Sequence, residues 1–203
     1  MSRKYMLAGG VALASIVLDQ VTKILVVKNI RYQVEEIPVF DTSWLSLSLV
    51  HAQNRGAAFG VMTGQTTFFV VFTIVAVGLL VYMLKELPDT DRFQSIATGL
   101  ILSGAIGNFI DRVHKQSVTD FIRVYTEHPS ARAFLLDKVG TNEWPSFNVA
   151  DAAIVIGLGM FGIHYLFLEK DAATMPTVAP PKPLDPSDAT SRPADPAAGP
   201  VSS

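Results

Sequence analysis

Cysteine is absent from the 203 residues, which removes disulfides, thiol nucleophiles and thiolate metal sites together. Charge is scarce too: 17% of residues are charged, against about one quarter in an ordinary soluble domain. A formal net charge of -2 with no long basic run leaves neither a nucleic-acid footprint nor a polybasic lipid patch, so no nucleic-acid partner is expected. The four histidines, His51, His114, His128 and His164, lack metal-ligand spacing, and neither a metal nor another cofactor is expected. What the chain does have is apolar residues. At 49% hydrophobic and a mean hydropathy of +0.35, it reads as a polytopic membrane protein.

Four apolar segments approach the length of about 20 residues that crosses a bilayer: Met6 to Val27, Thr67 to Leu84, Ile96 to Ile110 and Ala150 to Phe167. The third reaches that length only if Phe93 at one end and Asp111 to Val113 at the other are helical. The start, Ser2-Arg3-Lys4 and an apolar run through Ala12-Leu13-Ala14, also fits a cleaved signal peptide, but the run continues past Ala14 and three more spans follow. Lys85 to Arg92 is a short polar turn, whereas Lys28 to Thr66 and Lys115 to Val149 are long. With four spans, both long connections lie on one side, which carries the working surface. Lys and Arg occur in both sets of loops, so their distribution does not orient the chain.

In the first long connection Trp44 to Val50 alternates as a half-buried strand, and Val118 to Tyr125 offers a second. Together they predict a small sheet at the membrane surface. Ala131 to Val139 reads as a short surface helix. Beyond Lys170 the composition turns to Pro, Ala, Asp and Ser, with eight of the twelve prolines after Thr174. The segment 169–203 is therefore expected to be a disordered tail outside a four-helix unit of residues 1–168.

The polar residues within this apolar frame call for reasons. Ser15, Asp19 and Lys23 recur every four residues on one helix stripe, with acid before base, the favourable order for an ion pair. That structural pairing competes with a Ser/Lys nucleophile pair. Asn54-Arg55-Gly56-Ala57-Ala58-Phe59-Gly60 is either a turn leading into the second span or a site element whose amide binds an extended substrate backbone. On the third span Gly99, Ser103 and Gly107 form a small-residue ridge suited to close packing, beside a face of Gly104, Asn108 and Arg112. Asp111 and Arg112 can be charges that snorkel to the headgroups. Asn108, an amide near the end of a span, must find partners. Asn148 is a good N-cap for the fourth span, which puts Asp151 at the third helical position, where an acid also suits the helix dipole.

Asp120 is the least expected of the acids. Period two places it on the same face as Val118, Ile122 and Val124, so it is an acid on the apolar face of a strand. Topology brings Asp19, Lys23, Asp111, Arg112, Asp120 and Asp151 to one membrane face, and ionisable groups at such a boundary are by default a site hypothesis. Two acids that meet at an apolar boundary, Asp120 and Asp151, share a proton and titrate as a pair. That is the electrostatic logic of two-carboxylate peptide hydrolysis. Two other classes stand beside it. A proton- or ion-coupled transporter uses membrane acids as relays, but near the bilayer midplane rather than at one end. A non-catalytic assembly factor would tolerate loss of both aspartates.

The blocks Asp19-Gln20-Val21-Thr22-Lys23, Asn54-Arg55-Gly56-Ala57-Ala58-Phe59, Gly104 to Arg112, Val118-Thr119-Asp120-Phe121 and Phe147-Asn148-Val149-Ala150-Asp151 resemble, in order and across all four spans, the lipoprotein signal peptidase (signal peptidase II) family. The resemblance implies a four-helix aspartic endopeptidase of the bacterial inner membrane with an extracytoplasmic sheet, an active site near the outer leaflet and both termini cytoplasmic. It implies a monomer in membrane lipid that cleaves diacylglyceryl-modified prolipoproteins just before the lipidated Cys. By motif position Asp120 and Asp151 are implied as the catalytic pair. Asn54, Asn108, Arg112 and Asn148 are implied to bind substrate, and Asp19, Lys23 and Asp111 to be polar scaffold. The interval from Asp120 to Asp151 is longer than the family pattern, and Glu127 to Asn142 within it is expected to form an extra surface element.

Overall fold

The computed structural model describes residues 2–56 and 65–168. The tail 169–203 and the part of the Asn54 block from Ala57 to Gly60 lie outside the described residues. The element order is α1 (Arg3–Asn29), β1 (Glu36–Asp41), β2 (Ser46–Asn54), α2 (Thr66–Glu86), α3 (Arg92–Lys115), β3 (Val118–Tyr125), α4 (Pro129–Lys138), β4 (Glu143–Phe147) and α5 (Val149–Ile163). A π-helical turn, His164–Leu168, continues α5. Among the described residues four helices are long and apolar enough to cross a membrane: Arg3–Asn29, Thr66–Glu86, Arg92–Lys115 and Val149–Phe167. The third span gains its length as required, with Phe93 and Asp111 to Val113 inside the helix.

The central helix is α3, which packs against α1, α2 and α5. Its small residues set how closely those neighbours approach. A Cβ on Gly99 would lie 2.6 Å from the Ala8 carbonyl oxygen of α1, and one on Gly104 would collide with the Ala150 carbonyl oxygen of α5. Between them Ser103 donates to the Ser15 hydroxyl at 2.9 Å. Ser15 is thus engaged across the helix interface. By contrast, α2 buries only Leu84 and leaves Val71, Phe72, Ile74 and Val75 exposed, as a lipid-facing span does. At the far end of the bundle the Lys4 ammonium donates to the Lys85 and Leu87 carbonyls at 2.6 and 2.5 Å, satisfying the last turn of α2.

Asp91 caps α3 by accepting from the Gln94 amide at 2.9 Å. The helix stops at Gln116, a left-handed residue at φ 58°, and two residues later the chain is already in β3. This abrupt turn brings Asp111 and Asp120 to the same end of the bundle.

The sheet is antiparallel, ordered β1-β2-β3-β4. β3 has the bounds its alternation predicts. The first predicted strand is shifted: the chain pairs from Ser46 to Asn54 rather than from Trp44 to Val50, because Thr42 and Leu45 bond each other in the hairpin turn and leave Trp44 61% exposed. β1 and β4 are not predicted by alternation. Each carries a proline, Pro38 and Pro145, and each lies at a sheet edge, where a missing N–H costs no ladder bond. The predicted surface helix forms, starting two residues earlier and ending one residue earlier, at Pro129–Lys138, with Pro129 in its first turn. A small core of Val26, Ile30 and Phe121, flanked by Leu49, Ile122 and Val149, joins the end of α1 to the sheet and the start of α5.

Candidate active site

Two buried clips fix the region. In the first, Asp19, Lys23 and Asp111 are each 1% exposed. The Lys23 ammonium lies 2.9 Å from Asp19 and 3.3 Å from Asp111, so one cation joins α1 to α3. Asp111 is therefore buried in an ion cluster and does not snorkel. Each acid of this cluster also holds a backbone amide: Asp19 accepts from Ala150 N–H at 3.0 Å, and Asp111 from Thr119 N–H at 3.0 Å. Those amides immediately precede Asp151 and Asp120. Sequence reasoning finds the Asp19–Lys23 pair from its spacing but misses both amide tethers, since nothing in composition joins residue 19 to residue 150.

The second clip is a chain of amides. Asn148, fully buried, caps α5 by accepting from Asp151 N–H at 3.0 Å, while its own N–H donates to Asp151 Oδ2 at 3.2 Å. The N-cap and the position of Asp151 are as the sequence predicts, and the two bonds together make a reciprocal capping box. The Asn148 side-chain amide also donates to Asp120 Oδ1 at 2.7 Å and to Asn108 Oδ1 at 3.2 Å. Asn108 in turn donates to Asp151 Oδ1 at 2.7 Å and accepts from the Lys23 ammonium at 3.1 Å. Asn54, placed by β2, accepts from Gly56 N–H at 3.0 Å, and its side chain lies close enough to Asp120 to favour the ionised carboxylate. Asp120 and Asp151 thus share Asn148 as a common donor.

Asp120 is 3% exposed. Its pKa is raised to about 7, first by burial and next by the charge of Asp151, against the lowering pull of the Asn148 hydrogen bond, the Asn54 side chain and Lys23. Arg112 is half-buried, with its guanidinium carbon 4.8 Å from the centre of the Phe69 ring, a distance at which cation and ring attract.

A cavity of about 470 Å³ opens beside these groups, walled by Asn54, Asn108, Arg112 and Asp151, by Phe69 and Phe72 of α2, and by β4 residues including Phe147. Neither Asp120 nor Asn148 lines it; Asp120 is joined to the lining residue Asn108 through the Asn148 side-chain amide. Of the nine residues singled out in the sequence, Asp120, Asp151, Asn54, Asn108, Asn148 and Arg112 gather at this cavity or directly behind it. Asp19, Lys23 and Asp111 lie one layer deeper. The contributions of Phe69, Phe72 and β4 carry no sequence signal: an apolar residue on a span looks the same whether it faces lipid or a cleft.

Four spans, a surface sheet and a group of acids at one end of the bundle are the features of a membrane-embedded protease of the aspartic type. The family described as Signal peptidase (SPase) II matches residues 11–167. The chain is 41% identical over 156 residues to the lipoprotein signal peptidase of Shouchella clausii, covering 77% of this chain and 90% of that one. It is 42% identical over 161 residues to that of Maridesulfovibrio salexigens, covering 76% and 91%. A solved structure described as a bacterial membrane enzyme matches with 30% identity and a TM-score of 0.65, over 82% of this chain and 98% of that one. The chain belongs to the signal peptidase II family and is a bacterial membrane enzyme.

Proposed function

We propose that this protein removes signal peptides from diacylglyceryl-modified prolipoproteins by cleaving just before the lipidated Cys, with Asp120 and Asp151 as its catalytic pair. One observation carries the assignment of the pair. Of the four acids at this end of the bundle, Asp19 and Asp111 are held against ammonium groups. Asp120 and Asp151, among the described residues, receive only amide donors. An acid locked to a cation is a poor proton carrier, whereas an acid cradled by neutral amides can exchange its proton.

In this reading the two carboxyls share one proton, and the raised pKa of Asp120 supports placing it there. Ionised Asp151 takes a proton from water as the water oxygen bonds to the scissile carbonyl carbon, and Asp120 gives its proton to the carbonyl oxygen. Collapse of the tetrahedral intermediate breaks the C–N bond. Asp151 passes its proton to the departing nitrogen, and the hydroxyl proton returns to Asp120. The products are a signal-peptide carboxylate and a free amine on the lipidated Cys.

Asn54, Asn108, Arg112 and Asn148 hold the substrate backbone and the acids, while Asp19, Lys23 and Asp111 are scaffold. The working unit is read as a monomer in membrane lipid, as the family resemblance implies. An even number of spans puts both termini on one side and the sheet on the other. With the sheet outside, the site faces the outer leaflet and both termini lie in the cytoplasm. The peptidase unit is residues 1–168. A transporter has no support: these acids gather at one end of the bundle.

The test is to give the purified protein a lipid-modified precursor and the same precursor without lipid. Cleavage of the modified form alone is the expected result. Equal cleavage of both would contradict the substrate assignment.

A further inference from the structure

A second cavity, of about 380 Å³, lies beneath α4 at the outer part of the sheet. Its walls include Trp44, Leu45, Val124, Ala131, Leu135 and Trp144, and its volume is in the range of ligand-binding clefts. It exists because α4 is fastened at its ends and does not settle onto the sheet: no residue of α4 is buried. At one end His128, the N-cap, stacks on Trp44 with ring centroids 3.6 Å apart. At the other, Asn142 donates to the Thr126 carbonyl at 2.9 Å and accepts from Thr126 N–H at 3.1 Å.

The groove adjoins the candidate active site, since Trp144 and Pro145 of β4 line both cavities. It also lies along the strand that carries Asp120. Period two puts Asp120, Ile122 and Val124 on one face of β3, and Val124 pairs with Trp144 across the sheet. Four strand residues cover about 13 Å, so an extended chain beginning at Asp120 reaches the groove in about four residues. On the helix side the active-site cavity has its own apolar wall in Phe69, Phe72, Ala76 and Leu80 of α2, where signal peptide and acyl chains find room. The groove is on the other side, and its margin holds the polar residues Thr126, Thr141, Asn142 and Glu143, which suit a peptide backbone.

We propose that the groove under α4 binds the first residues of the mature lipoprotein, on the far side of the cleaved bond, and selects apolar side chains at the third to fifth positions after it. This rests on the reading of Asp120 and Asp151 as a peptidase pair. The experiment compares kcat/KM for diacylglyceryl-modified precursors with leucines or aspartates at those three positions, using the full chain and its Ala131→Phe and Leu135→Asp variants. A third precursor, ending one residue after the Cys, is given to the wild type. The expected result is a wild-type preference for leucine of about tenfold, which falls to near one in both variants. No wild-type preference would overturn the inference, as would variants that slow the leucine and aspartate precursors by the same factor. The leucine and aspartate precursors are also made with shortened acyl chains, and an effect that follows acyl-chain length instead would give the groove to lipid and overturn the inference too. Cleavage of the short precursor together with equal cleavage of the leucine and aspartate precursors sinks this inference alone, whereas failure to cut any of the three sinks the peptidase reading.

Discussion

At the scale of the residue, the site depends on what each acid is given as a partner. Asp19 faces Lys23 at 2.9 Å and Asp111 faces Lys115 at 3.2 Å, whereas Asp120 has the amides of Asn148 and Asn54. An apolar setting and a nearby like charge hold the Asp120 carboxyl up to about 7. Below that pH it is neutral and able to donate, and above it the shared proton is lost. Turnover therefore falls as pH rises through about 7. The Asn54 side chain favours the ionised form, so Asn54→Ala raises the Asp120 pKa and moves the alkaline limb to higher pH. A pH profile of kcat/KM for wild type and variant checks this, and a limb that stays in place or moves down contradicts it.

At this scale much was legible from the chain. Asp120 stood out as an acid among Val118, Ile122 and Val124, and Asn148 with Asp151 formed a recognisable cap. Asp111 has two cationic partners: Lys115 stands four residues on, at a spacing the chain shows, whereas Lys23 is not legible as its partner, because it is 88 residues away and only Asp19, at four residues, shows in its spacing.

At the scale of elements, a few polar groups tie α1, α3, β3 and α5 together at the site end of the bundle. Lys23 joins the acids of α1 and α3, and those acids hold the amides of Thr119 at the head of β3 and of Ala150 at the head of α5. The ion cluster thereby sets where Asp120 and Asp151 sit without touching them. Removing one member of a buried ion cluster leaves its partners charged and unpaired, at a cost of about 3–5 kcal/mol. Lys23→Met should lower stability by that amount, read as thermal unfolding in detergent. A loss under about 1 kcal/mol would mean that the clip does not hold the elements together. Helices and the central strand were readable from apolar length and alternation. The edge strands were not, since Pro38 and Pro145 interrupt the pattern, and it is pairing with β2 and β3 that brings them into the sheet.

At the scale of the whole molecule, one buried helix, α3, gathers three others, and the sheet closes over one end of the bundle. The family match ends at residue 167, close to the proposed limit of the peptidase unit. A chain cut after Leu168 should keep wild-type turnover of a lipid-modified precursor, and a large loss would bring the tail 169–203 into the working protein. The order of spans and long connections was legible because bilayer length is a strong constraint. The cleft between α2, α3 and β4 was not, because it arises from elements that the chain visits far apart.

The central claim is that Asp120 and Asp151 act together on the scissile bond. It is tested most directly by turnover of a diacylglyceryl-modified precursor by wild type, Asp120→Asn and Asp151→Asn, each verified as folded in detergent. Both folded variants should lose cleavage by a factor of about a thousand. Near-normal turnover in either folded variant would contradict it, returning that residue to a structural role and leaving the second acid to be sought at Asp19 or Asp111.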